Sequence, residues 1–331
     1  LEDLGALPER PPGLGLAQAD FTGDGMVDAA VTLIDRESEW NPPLGSLHLI
    51  SCLQGAYQIV ATSGPVSDAG APTIEAAEDL NGDGVADLLV SRWTCGAHTC
   101  FAKLDVWVWE DSGLESRFIG ASDDLPYPEV HVETDPGQAG RLILVRGTNL
   151  GSVGAGPYRP RTRIWRWDAQ QGFVVAAEEL DPPLFRAHLL HDADRASRQG
   201  DLGTAAVLYS QAIDDDTLQD WDGVPHARAS LSAYATFRLG LLEWALGDSE
   251  AAISTWEDLP SGTPSPAGEA YARLADALRE SLGQGQDWPA ACAALVPQIE
   301  ADPSALLDSL YSGYANPVYT AEDLCAGGGE G

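Results

Sequence analysis

Between residues 72 and 120 four stretches place apolar residues near every second position: "TIEAAEDL", "ADLLVSRW", "KLDVWVWED" and "LESRFIG". Four more, "EVHVETD", "RLILVRG", "TRIWRWD" and "GFVVAAEE", do the same between residues 129 and 179. β-Branched and aromatic residues are enriched in them, and Gly, Asp and Ser punctuate them, which predicts strands. After "EELDPPLF" (178–185) the apolar spacing lengthens to the helical period, with Ala and Leu on the apolar positions. Pro182 and Pro183 mark the change. The pattern predicts a β domain over residues 1–180 and an α-helical domain over residues 184–331.

The β half repeats itself. "ADFTGDGMVDAAVTLI" (19–34) and "EDLNGDGVADLLVSRW" (78–93) align without gaps. Asp20, Thr22, Asp24, Gly25 and Asp28 correspond to Asp79, Asn81, Asp83, Gly84 and Asp87. Oxygen-bearing side chains thus occupy relative positions 1, 3, 5 and 9, with glycine at 6 for a sharp turn. Hard oxygen ligands in this spacing suit Ca²⁺, with the backbone carbonyl of position 7 completing the set. Without a cation, carboxylates crowded in one turn repel one another and their pKa values rise. An EF-hand is excluded: its twelfth position is Val31 or Val90, each inside a strand pattern. A third copy, "ETDPGQAGRLILVRG", keeps Asp135 and Gly140 but has Gly137 and Ala139 at ligand positions, so it has lost the metal chemistry.

These loops and their strands resemble the FG-GAP (VCBS) repeats of integrin α chains and bacterial surface proteins, over roughly residues 14–178. The resemblance implies three blade-like four-stranded units, a partial β-propeller, with structural Ca²⁺ at two sites. The first site would be Asp20, Thr22, Asp24 and Asp28 with the Met26 carbonyl. The second would be Asp79, Asn81, Asp83 and Asp87 with the Val85 carbonyl.

The helical half also repeats. "RQGDLGTAAVLYSQAI" and "ALGDSEAAISTWEDL" match at Gly200/Gly247, Ala205/Ala252, Tyr209/Trp256 and Ala212/Leu259. With Leu239, Gly240 and Pro264 in frame, this resembles tetratricopeptide (TPR) repeats, which implies stacked helix pairs. A third pair falls between about Ala270 and Pro303.

Charge and cysteines narrow the function classes. The formal net charge of −33 excludes nucleic acid as a main partner, because phosphate binding needs clustered basic residues. Lys103 is the only lysine, so no Gly-Lys phosphate loop exists. No apolar window is long enough to span a bilayer, and the N-terminal "LEDLGALPERPPG" does not resemble a signal peptide. "LISC" at Leu49–Cys52 matches a lipoprotein cleavage box only superficially, since no basic and apolar segments precede it. Of the five cysteines, Cys95 with Cys100 and Cys292 with Cys325 are placed to form two disulfides, fitting an oxidising compartment. The competing reading is a metal held by Cys95, His98 and Cys100.

Three further stretches bear on chemistry. His188 and His191 share a helix face beside Asp192 and Asp194, a possible metal pair or a plain helix start. In "YRPRTRIWRWD", Arg161, Arg163, Trp165 and Trp167 fall on one strand face, a docking patch or an internal partner for nearby carboxylates. "GTNLGSVGAGP" opens no helix, so it does not cradle phosphate. Taken together, the residues predict a secreted or envelope-attached calcium-binding protein that binds or scaffolds another protein or an extracellular glycan. The alternative is a hydrolase of extracellular or cell-wall glycans with its site between the two domains.

Overall fold

Alternate residues of "GSLHLISCL" (Gly45–Leu53) are buried in the computed structural model, which fixes this strand, β3, with one face inward. The structure describes residues 15–66, 69–110, 113–223, 226–259 and 265–325. The N-terminal stretch, the strand end at Asp111 and Pro264 lie outside them. The chain forms two compact units. Val153–Arg159 belongs with the residues from Pro182 onward, and the rest, up to Asp181, makes the first unit.

Among the described residues the first unit contains three antiparallel sheets, each a four-stranded meander. Sheet one holds β1 (Leu16–Ala19), β2 (Asp28–Ile34), β3 (Gly45–Leu53) and β4 (Ala56–Ser63). Sheet two holds β5 (Pro72–Glu78), β6 (Asp87–Cys95), β7 (Cys100–Glu110) and β8 (Gly113–Ser116). Sheet three holds β9 (Glu129–Thr134), β10 (Arg141–Gly147), β11 (Arg161–Asp168) and β12 (Gly172–Leu180).

Strand β6 shows why sheet two is the middle layer. Its run Leu88-Leu89-Val90 is buried on both faces. Leu88 and Val90 pack with Phe21, Leu47 and Leu49 of the sheet-one side. Leu89 points the other way, into a core with Ile143, Val145, Trp165 and Phe173 of sheet three. A strand covered on both faces needs a continuous apolar run, and each such side chain contributes about 1.5–3 kcal/mol on burial.

The partial-propeller expectation is overturned. The three sheets are open, with β1 and β4, β5 and β8, and β9 and β12 at their edges, and they neither close nor curl as propeller blades require. Cys52 sits inside β3, paired with Tyr57 of β4, so the lipoprotein reading fails as well.

Among the described residues the α-helices of the second unit are α1 (Arg186–Arg198), α2 (Leu202–Asp214), α3 (Ala227–Ala245), α4 (Ser249–Glu257), α5 (Pro266–Gly283), α6 (Trp288–Ala301) and the short α7 (Pro303–Leu306). The internal likeness read from sequence is a shared turn. Gly200, Gly247 and Gly285 each take a positive φ just after a helix. In each case the next residue's N–H closes back on the helix: Asp201 on Ala196, Asp248 on Glu243 and Gln286 on Ser281. Asp201, Asp248 and Asp287 then cap the following helices by accepting from Thr204, Ala251 and Ala290 N–H.

A regular repeat would give helix pairs of matched length. Instead α1 to α6 run 13, 13, 19, 9, 18 and 14 residues, and the interior carries Arg186, His188, Asp194 and Arg238 fully buried. The turn recurs; a uniform array does not. Both expected disulfides are present: Cys95–Cys100 closes the β6–β7 hairpin, and Cys292–Cys325 ties α6 to the C-terminal segment. Among the described residues no helix is long and apolar enough to cross a membrane.

Candidate functional site

The two loops predicted to bind calcium use their carboxylates to brace the turn. Asp20 accepts from Gly23 and Gly25 N–H, both at 2.8 Å, and Asp79 from Gly82 (2.7 Å), Asp83 (3.1 Å) and Gly84 (2.9 Å). Asp24 and Asp83 accept from the N–H groups of Met26 and Val85, each at 2.8 Å. One oxygen of Asp28 takes Phe21 N–H, Thr22 N–H and the Thr22 hydroxyl, all at 3.0 Å. Asp87 likewise takes Leu80 and Asn81 N–H, at 3.0 and 3.1 Å. Asn81 turns its amide N–H toward Asp83 Oδ2, at 2.9 Å, where a metal ligand would present oxygen.

The calcium assignment is therefore corrected. Among the described residues no group of three or more His, Cys, Asp and Glu is placed to hold a metal ion. The backbone N–H groups take the role expected of a cation. In the third loop an arginine takes it, for buried Asp135 pairs with Arg166 Nε at 2.7 Å. The compensation is incomplete at Asp87, whose Oδ1 is buried without a hydrogen-bond partner, as is Asp28 Oδ1. Burial pushes the Asp87 carboxyl up to about 7, against the two N–H bonds and with the help of the Asp83 and Asp79 charges.

The other stretches are committed internally. Arg163 pairs with Asp124 and Glu178 at 2.8 and 2.6 Å and lies over the Trp165 ring, 5.8 Å from its centroid. Arg161 shares the same two carboxylates. The docking-patch reading of this strand gives way to internal pairing. His188 is buried with Nε2 2.9 Å from the Pro157 carbonyl, and both Asp192 oxygens lie 2.8 Å from Arg159 Nη1, so these residues do not join His191 as metal ligands.

The feature that sequence reasoning missed lies in the second unit. His191, Asp194, Arg195 and Arg198 follow the i, i+3, i+4, i+7 spacing, which lines them along one stripe of α1. Across from them run Pro317, Val318, Tyr319 and Asp323 of the C-terminal segment, and the two sides enclose a pocket of about 330 Å³.

Asp194 builds the floor. It accepts hydroxyls from Tyr209, from Tyr234 at 2.8 Å and from Tyr319 at 2.6 Å, and lies 3.9 Å from Arg238 Nε. Arg238 continues the network to the Tyr209 hydroxyl (3.0 Å), Ser197 Oγ (3.2 Å) and the carbonyls of Asp323 (2.9 Å) and Leu324 (3.0 Å). Arg238 and Tyr319 thereby hold the C-terminal segment against α1, next to the Cys292–Cys325 bond. Burial, reinforced by the neighbouring Asp194 charge, pushes the Tyr234 and Tyr319 hydroxyls well above the ordinary range, so both remain donors.

The mouth of the pocket is cationic. Arg195 is held only by Asp192, at 3.2 Å, among the ion pairs of the described residues, and Arg198 has no acidic partner there. Both lie in the last turn of α1, where exposed carbonyls favour positive charge. Burial lowers the His191 imidazole to about 4, so it is neutral at physiological pH.

This arrangement does not suit the hydrolase alternative. Two carboxylates line the pocket, but Asp194 is occupied by tyrosine hydroxyls, and Asp323 accepts from Thr320 N–H and Oγ1 at 2.8 and 2.9 Å. Glycoside hydrolysis needs an acid and a base free to act. The scaffold organised by calcium loses its premise with the metal group.

Comparison with protein-family models and with curated proteins gives no match to either. Together with the open sheets and unequal helix pairs, this overturns the resemblance to FG-GAP (VCBS) and TPR repeats.

Proposed function

We propose that the protein works outside the cytoplasm and recognises an anionic group of a partner at the α1 pocket of its helical unit. One observation carries this reading. In a chain with 51 acidic and 18 basic residues, Arg198 stands at a pocket with no acidic partner among the described residues. A structural arginine in such a chain is readily paired, as Arg161 and Arg163 are. Arginine also forms bidentate hydrogen bonds to carboxylates, which gives recognition by geometry as well as charge.

Another protein is the favoured partner. Glycan recognition uses exposed aromatic faces, whereas among the described residues the pocket wall holds, besides His191, only the ring of Tyr319, largely turned inward. The chain charge of −33 disfavours nucleic acid. A secreted or envelope-attached location is supported by the two disulfides. The proposed organisation is two domains, residues 1–180 and 184–331, with binding assigned to the second.

Calorimetric titration with short acidic peptides tests the reading. We expect binding that weakens at least about tenfold in the Arg195→Ala/Arg198→Ala variant and fades with added salt. Unchanged affinity in that variant would remove the pocket from the account. Binding of an oligouronate in place of the peptides would move the partner to the glycan class. For location, thiol labelling of unreduced protein from its native compartment is expected to modify Cys52 alone.

A further inference from the structure

The pocket combines three surfaces that together narrow its ligand, an inference that rests on the anion-binding reading above. The first is a pair of guanidinium groups three residues apart on α1. Arg198 has no acidic partner among the described residues. Arg195 is nearly half exposed, and its partner Asp192 is already neutralised by Arg159. Releasing Arg195 to a ligand therefore leaves no carboxylate without a cation.

The second surface is acidic. Asp194 and Asp323 line the same pocket, Asp194 holding three tyrosine hydroxyls and Asp323 the Thr320 N–H and hydroxyl. A phosphate dianion would meet two carboxyl groups while satisfying two arginines. A carboxylate carries half that charge, and two planar guanidinium forks match it.

The third surface is apolar. Pro317 and Val318 form an apolar side of the pocket, and Val318, 69% exposed, has side-chain surface left for a ligand to cover. The volume of about 330 Å³ is at the small end of ligand pockets, enough for one amino-acid-sized group.

We infer that the pocket takes a compact organic carboxylate bearing a branched apolar group beside the acid, and that it rejects phosphate. The acid lies between Arg195 and Arg198, the apolar group lies on Pro317 and Val318, and the neutral His191 imidazole offers a hydrogen bond without added charge.

The test is a calorimetric or NMR titration of the full chain at pH 7.5 and low salt with N-acetylleucine, N-acetylleucinamide, acetate and inorganic phosphate. N-acetylleucine is expected to bind at least on the order of tenfold more tightly than acetate, since burying its isobutyl group contributes that much. The amide and phosphate are expected not to bind. Arg198→Ala, an exposed position whose folding is checked by circular dichroism, is expected to abolish binding. Val318→Ser is expected to reduce N-acetylleucine to the level of acetate and leave acetate unchanged. Phosphate binding as tightly as N-acetylleucine would overturn the carboxylate assignment and leave an anion pocket standing. Equal affinity for acetate and N-acetylleucine would overturn the apolar wall. Failure of every anion to bind would overturn this inference and the proposed function together.

Discussion

Asp87 in the β unit and Asp194 in the helical unit are exposed by only 1% and 2%, and the two surroundings differ in kind. Asp87 receives two backbone N–H bonds on Oδ2 and nothing on Oδ1. Asp194 receives three tyrosine hydroxyls across both oxygens, with Arg238 beside it. The β unit tolerates an incompletely compensated acid because Asp87, at the start of β6, is braced locally by backbone N–H groups of the preceding turn. The helical unit spends four side chains from distant positions on its acid, and in doing so fixes the C-terminal segment that walls a pocket. A buried carboxylate thus marks a local turn in one unit and a tertiary hub in the other.

Removing each carboxylate separates the two cases. Asp194→Ala leaves Arg238 buried without its counter-charge and the hydroxyls of Tyr209, Tyr234 and Tyr319 without their acceptor. A loss of about 3–5 kcal/mol is expected in urea denaturation of the helical unit. A loss below about 1 kcal/mol would mean that the hub is not integral to the fold.

Asp87→Asn is expected to do the reverse. Because burial raises the Asp87 pKa from 3.8 to about 7, its contribution to stability is full below 3.8 and is lost as pH rises through 7. The amide cannot ionise, so at pH 8 the variant is expected to exceed the wild type by on the order of 2–4 kcal/mol. That advantage shrinks as pH falls toward 5. Urea midpoints at the two pH values check it, and a variant less stable at both would contradict it.

His191 sharpens the contrast through acid. Burial lowers its pKa from 6.5 to about 4, so stability that is full above 6.5 is lost as pH falls through that window. Amide exchange at pH 7 and pH 5 is expected to show the helical unit losing about 2 kcal/mol of protection from this group. Over the same interval the Asp87 contribution grows. His191→Gln is expected to flatten the helical response alone.

The smallest effect is a packing control that touches neither carboxylate. A Cβ at Gly240 would lie 2.3 Å from Trp256 Nε1, whose N–H donates to the Phe237 carbonyl at 3.1 Å. Gly240→Ala is expected to cost about 1–3 kcal/mol in the helical unit, independent of pH. A pH-dependent loss would tie this contact to the hub and weaken the comparison.

The contrast also explains what the sequence disclosed. Strands were legible because burial follows alternation, as in β3, or a doubly covered run, as in β6. The recurrence at Gly200 and Gly247 was legible, but it was read as a helix-pair repeat, whereas what recurs is local chemistry, a glycine turn followed by an aspartate cap. How the sheets associate was not, since open sheets and propeller blades share the same alternation. The loops were legible as crowded carboxylates, but their backbone donors were not, because any residue supplies an N–H. The pocket was hidden for a different reason. Its α1 stripe could be seen at His191 and Asp194, but Asp194 meets partners 15, 40 and 125 positions away, at Tyr209, Tyr234 and Tyr319. No local pattern announces such a meeting.

The central claim is that Asp194 holds the C-terminal segment in place and so creates the pocket. Hydrogen exchange at residues 317–325 in wild type and Tyr319→Phe tests it most directly. The account predicts exchange faster by on the order of tenfold in that segment, with α3 to α5 unchanged, because one hydroxyl is lost and Asp194 Oδ2 is left short of a donor. Equal protection in the two proteins would contradict it.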